Sequence, residues 1–459
     1  MEHRKGFLII LDGWGLNDNP GESAVEKADT PCMDKLWGEQ PHATLRTHGI
    51  SVGLPEGQMG NSEVGHLNLG AGRIVYQDLV KINRSFEDET FQQNEVFKTL
   101  LAKLASRQRP LHIMGLLSDG GVHSHVDHLF ALCDILKSNP DIRVYLHLFL
   151  DGRDTDPKAG QEYLRQLMDR IDSTTNIQWA SIIGRYFAMD RDKRWDRTAK
   201  AWSLLVEGDG KKTSDPVEAV QEYYEQGVTD EFMEPIVAVD KNDEAVGTID
   251  DGDGVLFFNF RSDRPRQLVD ALVERGIPDE GIEPLDLHFV TMTRYDKTFE
   301  NIRVLFEKDP IPNTMGEWIS KQGLTQLRIA ETEKYAHVTY FFSGGMEDEF
   351  DGESRILVPS PQVPTYELQP EMSAPEVTEK AIYFIEDHQP DFICLNYANP
   401  DMVGHTGYFE AAVAAVEAVD EGLQELVKTA RKFEYEVLII ADHVNADYMV
   451  NPDGSPNTA

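Results

Sequence analysis

The stretch Phe7-Leu-Ile-Ile-Leu-Asp12 places a carboxylate directly after a short apolar run, close to the beginning of a chain of 459 residues. Two later runs have the same form: Phe392–Tyr397 is followed within a few residues by Asp401, and Val437–Ala441 is followed at once by Asp442. Runs of this length are typical of buried strands, and ligands of parallel sheets gather at the carboxyl ends of the strands. The pattern therefore predicts a sheet, built from both ends of the chain, that delivers three acids to one site.

The middle of the chain has a second set of strand-like runs, and these are followed by arginines instead. The runs are Leu111–Leu117, Val144–Leu150, Trp179–Ile183 and Gly254–Phe258. The arginines at or just after their ends are Arg153, Arg185, Arg191, Arg261 and Arg264. Alternating apolar and amphipathic segments indicate an α/β protein, and two sets of strand ends with different chemistry indicate two α/β domains. We expect one discontinuous domain, residues 1–76 and 311–459, with a second domain, residues 77–310, inserted into it.

Composition limits the partners and the location of the chain. Its formal net charge of -37 disfavours binding to nucleic acid or to anionic membranes, so an anion site must be locally positive. No apolar run is long enough to span a bilayer, and no signal peptide is recognisable. The three cysteines have no metal or redox spacing and are expected to be thiols in a reducing cytoplasm.

Several of these residues are candidate metal ligands, each with a simpler alternative. Asp401 and His405 face the same side of a helical turn and can share a cation, although a surface Asp–His hydrogen bond has the same spacing. Asp442 and His443 follow a strand directly, and Asp12 offers a third ligand or is a turn acid. Ser62 lies in a glycine-rich stretch, Gly57–His66, where it is either a helix N-cap or a nucleophile activated by a metal.

The dispersed arginines are candidates for a site that binds an anion with several charges. Guanidinium groups bind phosphate and carboxylate through paired hydrogen bonds, so five arginines that converge in the fold would suit such a substrate. His123 and Asp154 lie among them and are candidates for general acid–base work on hydroxyl groups. Nearby His125 and His128 are interpreted as structural or surface histidines.

Taken together, the motifs resemble the cofactor-independent phosphoglycerate mutases of the alkaline phosphatase superfamily. The motifs are Asp12-Gly-Trp-Gly, Gly60-Asn-Ser-Glu-Val-Gly-His, Ser118-Asp-Gly-Gly-Val-His-Ser-His, Asp151-Gly-Arg-Asp, Gly184-Arg-Tyr, Asn259-Phe-Arg, Glu333-Lys-Tyr and Asp442-His. The resemblance extends over essentially the whole chain. It implies an alkaline-phosphatase-like domain with an inserted phosphotransferase domain. It also implies the interconversion of 3-phosphoglycerate and 2-phosphoglycerate in glycolysis and gluconeogenesis, without 2,3-bisphosphoglycerate.

The resemblance also implies roles for individual residues. Ser62 would carry the phosphoryl group as a phosphoserine, and Lys334 would bind near it. One Mn²⁺, or another divalent ion, would be held by Asp12, Ser62, Asp442 and His443, and a second by Asp401 and His405. The substrate would be bound by His123, Arg153, Asp154, Arg185, Arg191, Arg261 and Arg264, together with Lys334. The small-molecule substrate would be the main partner, and the protein would be a cytoplasmic monomer.

The chain departs from the family pattern in three places. Val444 stands where the family has glycine, and a valine would be strained there if the position needs a positive φ angle. Ser262 stands where proline is common. The chain ends at Asn457-Thr-Ala459, where the family continues into a histidine that completes the site of Asp401 and His405. We therefore expect that metal site to lack a third protein ligand and turnover to be impaired.

Two other functions remain open from the sequence. One is a metal-dependent phosphatase, or a mutase for another sugar phosphate, although the arginines and His123 match the glycerate-binding type. The other is a truncated, non-catalytic binding protein, which only the missing histidine supports.

Overall fold

The computed structural model describes residues 4–307 and 311–458. These residues include thirteen strands and sixteen α-helices, joined by loops and short turns. The strands are β1 (Lys5–Leu11), β2 (Leu111–Leu117), β3 (Val144–Leu150), β4 (Ile177–Gly184), β5 (Lys211–Thr213), β6 (Ile236–Ala238), β7 (Gly254–Phe257), β8 (His288–Thr293), β9 (Ile302–Phe306), β10 (Gln326–Glu331), β11 (Glu353–Val358), β12 (Phe392–Tyr397) and β13 (Tyr435–Ile440).

The helices alternate with these strands along most of the chain. They are α1 (Ala24–Lys27), α2 (Pro31–Glu39), α3 (Ser62–Ala71), α4 (Asp78–Glu87), α5 (Glu95–Arg107), α6 (Val126–Lys137), α7 (Gly160–Ile171), α8 (Arg185–Ala188), α9 (Trp195–Glu207), α10 (Pro216–Glu225), α11 (Arg266–Val269), α12 (Met315–Lys321), α13 (Thr332–Ala336), α14 (Ala374–His388), α15 (Asn399–Gly404) and α16 (Phe409–Lys432). Within the described ranges, none of them has the length and apolar character needed to cross a membrane.

The chain divides into two units, each with its own sheet. Unit 1 comprises Met1–Gln77 and Asp309–Ala459, and unit 2 comprises Asp78–Lys308. The predicted α/β class is confirmed in both units. The predicted crossing at residue 310 lies outside the described residues, and the roles expected of the two domains stay predictions.

Unit 1 is built on a five-stranded parallel sheet with the order β11-β10-β12-β1-β13. Leu11 pairs with Tyr397 of β12, and Ile10 pairs with Ile440 of β13, so these three strands end at the same level. Five consecutive apolar residues of β1 are buried on both faces of the sheet, as expected for a central parallel strand. The three strands predicted from Phe7, Phe392 and Val437 are therefore confirmed, and their acidic ends lie at one edge.

Unit 2 is built on an eight-stranded sheet with the order β5-β6-β4-β3-β2-β7-β8-β9. Its strands pair in parallel except for β4 and β6, which are antiparallel. The four strands predicted in the middle of the chain are confirmed, with ends shifted by no more than two residues. They are the adjacent central strands β4, β3, β2 and β7, so the loops that follow them lie next to one another.

Helix α3 of unit 1 lies close against the end of β13, because glycine occupies its fourth position. A Cβ atom added to Gly65 would lie 2.7 Å from the Cβ atom of Asp442 and 2.8 Å from its carbonyl oxygen. No side chain fits at that distance. Gly65 thus lets Ser62, at the beginning of α3, approach the strand ends.

We predict that Gly65→Ala lowers the thermal stability of unit 1. Alanine favours a helix over glycine by about 1 kcal/mol, but overpacking against Asp442 costs about 1–3 kcal/mol. Gly38→Ala is the matched control, since Gly38 lies in α2 with open space around it and should gain stability. Differential scanning calorimetry of both variants measures the difference, and a Gly65→Ala variant as stable as Gly38→Ala would contradict the packing argument.

Candidate active site

Four strand ends of unit 1 deliver charged side chains to one buried place. Asp12 follows β1, Asp442 and His443 follow β13, Asp401 lies in α15 after β12, and Lys334 lies in α13 after β10. Each of these five side chains is buried. Parallel strands with their ends in register bring together residues that are hundreds of positions apart in the chain.

Ser62 lies at the centre of this group. Its hydroxyl donates a hydrogen bond to Asp12 Oδ1 at 2.8 Å, and it accepts one from Lys334 Nζ at 2.6 Å. Ser62 is the first residue of α3 and is not its N-cap, because the side chain of Asn61 accepts the hydrogen bond from Val64 N. The alternative interpretation of Ser62 as the N-cap is therefore wrong.

The Lys334 ammonium group connects the serine to two carboxylates. It donates hydrogen bonds to Asp12 Oδ1 at 2.9 Å and to Asp401 Oδ2, besides the one to Ser62. Burial favours the neutral amine, but the carboxylates of Asp12 and Asp401 outweigh it and raise the pKa of Lys334 above its usual value. Lys334 is thus a permanent cation beside the serine hydroxyl.

Two groups of side chains in unit 1 have the geometry of metal sites. One consists of Asp12, Asp401 and His443, the other of Asp12, His66 and Asp442, and all members are buried. His443 Nε2 lies 3.0 Å from Asp401 Oδ1, and its Nδ1 lies 3.2 Å from Asp442 Oδ2. Asp12 belongs to both groups. These groupings differ from the ligand sets implied by the resemblance, and the assignment of each ligand to an ion stays a prediction.

The excess of negative charge and the unpaired polar atoms around Ser62 suit divalent cations. Three buried carboxylates, those of Asp12, Asp401 and Asp442, stand against one lysine, and buried charges need compensation. Asp442 Oδ2 and His443 Nδ1 have no hydrogen-bond partner among the described residues although both are buried. Burial opposes protonation of His443, but the Asp442 carboxylate raises its pKa to about 11. Positive charge at this position is thus stabilised by the surrounding carboxylates.

His405 and Val444 have more peripheral positions. His405 Nε2 lies 3.2 Å from Asp401 Oδ1, and its side chain is 47% exposed. The pair of residues thus exists as predicted, at the border between the buried site and solvent. Val444 is not among the described residues with a positive φ angle, so the valine is not strained. It lines a cavity of about 450 Å³ together with Trp14, Trp37 and His443.

In unit 2, the loops after the central strands bring the predicted arginines together. Buried Arg185 donates hydrogen bonds through Nη1 to Asp151 Oδ1 at 2.5 Å and to Asp154 Oδ2 at 2.6 Å. Arg191 and Arg261 both contact Asp263, at 2.8 Å and 3.0 Å. These carboxylates hold the guanidinium groups in place at the carboxyl edge of the sheet.

Arg264 and Arg153 complete the cluster. Burial, together with the positive charges of Arg185, Arg191 and Arg153, lowers the pKa of Arg264. A guanidinium group whose pKa is lowered by neighbouring cations indicates a place where an anion would be stabilised. The five arginines predicted from the sequence therefore do converge, although their role in binding substrate stays a prediction.

His123 lies between the acids of this cluster. Its Nε2 is 3.9 Å from Asp154 Oδ2, and its Nδ1 is 3.7 Å from Asp263 Oδ1. Burial and the charge of Arg185 lower the pKa of His123 to about 4, so the ring is neutral at pH 7 and can accept a proton. His128 instead is buried against Asn83 at 2.6 Å, and His125 caps helix α6, in agreement with their structural interpretation.

Comparison with known proteins decides the family. Residues 82–297 match the model "BPG-independent PGAM N-terminus". The chain is 51% identical over 457 residues to a 2,3-bisphosphoglycerate-independent phosphoglycerate mutase of Flavobacterium johnsoniae, an alignment that covers 100% of this chain and 90% of the relative. The chain belongs to the 2,3-bisphosphoglycerate-independent phosphoglycerate mutases.

Two further relatives agree with this family. A protein of the same name from Salinibacter ruber is 52% identical over 465 residues, covering 99% of this chain and 88% of the relative. A crystal structure of Leishmania mexicana phosphoglycerate mutase is 31% identical, with a TM-score of 0.54, and covers 100% of this chain and 86% of the other. The resemblance and the two-domain α/β fold class inferred from the sequence are therefore confirmed.

Sequence reasoning missed several polar residues that complete both clusters. His66 Nδ1 lies 3.2 Å from Asp442 Oδ2, and Asn396 donates to Asp12 Oδ2 at 2.7 Å. His66 could have been found, because it follows Ser62 by four residues and so shares its helix face. Asn445, which donates to Asp401 Oδ1 at 2.8 Å, and Asp263 carry no comparable spacing signal.

We predict that Asp12→Asn abolishes the binding of two metal ions, whereas Asp442→Asn removes about one, because only Asp12 belongs to both groups of ligands. Metal content after dialysis against Mn²⁺, measured by inductively coupled plasma mass spectrometry, tests this difference. Asp447→Asn is the control, since Asp447 is a buried acid of the same segment outside both groups. Equal metal loss in the Asp12 and Asp442 variants would exclude a shared ligand.

A further carboxylate near Lys334, besides those of Asp12 and Asp401, is buried and accepts a hydrogen bond from a serine. Glu331 ends β10 and accepts a hydrogen bond from Ser360 Oγ at 2.8 Å. Burial raises its pKa to about 7, above the ordinary value of 4.5. Because the folded state binds this proton more tightly than the unfolded state, the free energy of unfolding falls as pH rises from about 4.5 to 7.

We predict that Glu331→Gln removes this pH dependence and makes the protein more stable than wild type at pH 8, with little difference at pH 5. The full effect is of order 3 kcal/mol, from the rise of the Glu331 pKa from 4.5 to about 7 at about 1.4 kcal/mol for each pH unit. Melting temperatures at the two pH values measure it. Glu379→Gln, at an exposed position of α14, should leave the pH dependence unchanged. Identical pH profiles of wild type and Glu331→Gln would refute the argument.

Proposed function

We propose that the chain interconverts 3-phosphoglycerate and 2-phosphoglycerate, with Ser62 carrying the phosphoryl group between the two half-reactions. The observation that supports this most directly is the position of the Ser62 hydroxyl. It lies between the Asp12 carboxylate, 2.8 Å away, and the Lys334 ammonium group, 2.6 Å away. A hydroxyl with an acceptor for its proton and a cation beside its oxygen is an activated nucleophile. The names of the relatives and the arginine cluster of unit 2 support the choice of substrate.

In the first half-reaction, Ser62 Oγ attacks phosphorus, and the bond from phosphorus to the C3 oxygen of glycerate breaks. The proton leaves Ser62 along its hydrogen bond to Asp12, and the C3 oxygen gains a proton. In the second half-reaction, the C2 hydroxyl attacks phosphorus and loses a proton, while the bond from phosphorus to Ser62 Oγ breaks and Oγ regains a proton. The protons balance over the cycle, and only the position of the phosphoryl group changes.

Lys334 and the candidate metal groups stabilise the charge of the transferring group. Lys334 keeps its hydrogen bond to Oγ while negative charge develops there, which is electrostatic stabilisation by a preorganised donor. The ligand groups around Asp12, together with Ser62 and His405, would hold divalent ions, which we expect to be Mn²⁺. Such ions, when bound, lower the pKa of the serine hydroxyl and offset the charge of the phosphoryl oxygens. The Leishmania structures were obtained at low cobalt concentration, which supports a divalent ion.

The arginines of unit 2 would bind the carboxylate and phosphate groups of the substrate. Arg185 is held rigidly by Asp151 and Asp154, whereas Arg153, Arg191 and Arg261 are exposed and can turn toward an anion. Neutral His123, beside Asp154, would accept the proton of a glycerate hydroxyl and return it. Unit 1 would thus be the metal-binding domain and unit 2 the substrate-binding domain. The cytoplasmic location and the monomeric state stay predictions.

We predict that Ser62→Ala lowers mutase activity by at least about a thousandfold, because the nucleophile acts as a unit with its neighbours. The formation of 2-phosphoglycerate from 3-phosphoglycerate measures activity, and mass spectrometry of the quenched wild-type enzyme should find phosphate on Ser62. Ser343→Ala is the control, since Ser343 is a buried serine of the same unit without a hydrogen-bond partner for its hydroxyl among the described residues.

The same assay separates the alternative functions. A phosphatase would release inorganic phosphate without forming 2-phosphoglycerate, and a non-catalytic binding protein would do neither. An unphosphorylated Ser62 in a turning-over wild-type enzyme would refute the proposed intermediate.

A further inference from the structure

Three glycines of unit 2 pack against one short segment of chain, residues 230–233. A Cβ atom added to Gly152 would lie 2.9 Å from Asp230 Cβ, and one added to Gly160 would lie 2.8 Å from Asp230 Oδ1. One added to Gly184 would lie 2.3 Å from the carbonyl oxygen of Glu231. The three glycines thus place two separate loops directly against this segment. The first loop runs from the end of β3 to α7, and the second joins β4 to α8.

Hydrogen bonds join the segment to both loops. Asp230 N donates to the carbonyl oxygen of Pro157 at 2.9 Å, and Gly184 N donates to the carbonyl oxygen of Met233 at 2.8 Å. The Asp230 side chain, which is 0% exposed, accepts a hydrogen bond from Gly160 N at 2.8 Å through Oδ2. Its other oxygen accepts one from the Tyr224 hydroxyl of α10. The backbone amide and both carboxylate oxygens of Asp230 are therefore used in holding neighbouring segments.

The two loops carry the residues at the centre of the arginine cluster. Arg153 and Asp154 lie on the first loop, directly after Gly152, and Arg185 follows Gly184 on the second. The hydrogen bond between Arg185 and Asp154 spans the two loops, so its geometry depends on their relative position. The segment also reaches the cluster directly, since Glu231 Oε1 lies 3.8 Å from Arg153 Nη1.

A carboxylate in this position is costly to the fold. Burial and, to a smaller extent, the nearby carboxylates of Asp151 and Asp156 raise the pKa of Asp230 to about 6, although its hydrogen bonds from Tyr224 and Gly160 lower it. The described residues provide no ion-pair partner for Asp230 within 4 Å. Unpaired buried charges reduce stability. In natural proteins, destabilising groups of this kind are concentrated where function requires a particular geometry.

We propose that Asp230 is a positioning residue for substrate binding, which holds the loop of Arg153 and Asp154 and the loop of Arg185 at the separation that phosphoglycerate requires. This rests on the proposed function. Asp230 does not itself touch the substrate but acts through the Gly160 amide and the Tyr224 hydroxyl. Because the arginines bind the substrate in both ground state and transition state, misplacing them raises KM more than it lowers kcat.

The test compares Asp230→Ala with the conservative variant Asp230→Asn. Asparagine can accept from the Gly160 amide through its oxygen and donate to the Tyr224 oxygen through its nitrogen, so it preserves both contacts. Alanine preserves neither. Asn176→Ala is the matched control, since the buried Asn176 amide donates to three carbonyl oxygens of unit 2 just before the amino end of β4, at the opposite edge of the sheet from the cluster.

We expect Asp230→Ala to raise KM for 3-phosphoglycerate by at least about tenfold, with kcat changed by less than about threefold, and Asp230→Asn to restore KM to within about threefold of wild type. Asn176→Ala should lower the melting temperature without changing KM. If Asp230→Ala lowers the melting temperature but leaves KM at the wild-type value, as Asn176→Ala does, the residue is merely structural and the proposal is overturned. A KM for Asp230→Asn as high as for Asp230→Ala would also overturn it.

Calorimetric titration with 3-phosphoglycerate separates this proposal from the proposed function. If the wild-type chain binds 3-phosphoglycerate without turnover and Asp230→Ala loses that binding, the positioning role of Asp230 is supported and the proposed mutase function is overturned. If the wild-type chain turns over 3-phosphoglycerate and Asp230→Ala binds it as tightly as wild type does, the mutase function is supported and the positioning role of Asp230 is overturned. A wild-type chain that neither binds nor turns over 3-phosphoglycerate overturns both.

Discussion

The contact between the Lys334 ammonium group and the oxygens of Asp12, Ser62 and Asp401 is the interaction on which the site in unit 1 depends. Without a cation here, the buried carboxylates would repel one another and could not remain ionised. With a single lysine the charge is still not balanced, and the raised pKa of His443 and the unpaired oxygen of Asp442 express that excess. The same excess of negative charge that would weaken an ordinary core makes this one suited to divalent ions, which would in turn offset the charge of a phosphoryl group.

Backbone geometry makes such a concentration of charge possible. The five charged groups are supplied by four strand ends or by helices that follow them, so no local stretch of chain contains more than two of them. The apolar strands behind them are buried on both faces and provide a rigid base. Gly65 removes the side chain that would keep α3, and hence Ser62, away from Asp442.

Unit 2 holds a cluster of arginines within a chain of net charge -37. Its arginines need to stay close together before an anion arrives, and like charges at short range repel. Three acids orient them. Asp151 and Asp154 accept hydrogen bonds from Arg185, and Asp263 contacts Arg191 and Arg261. Asp151 is itself held by the backbone amides of Arg153 and Asp154. The cluster therefore exists as a network of both signs with an excess of arginines, whose exposed guanidinium groups would be open to an entering anion.

The sequence by itself determined the strands, the α/β class, the family and most of the charged residues of both clusters, because these follow from local apolar runs and from short motifs. It could not determine which ligands group together, since His443 faces Asp401 through one nitrogen and Asp442 through the other. Nor could it show that Asn61 rather than Ser62 caps α3, or that Asp230 lies beneath two loops. Such facts depend on distances between residues far apart in the chain, and only the packing of strands, loops and helices establishes those distances.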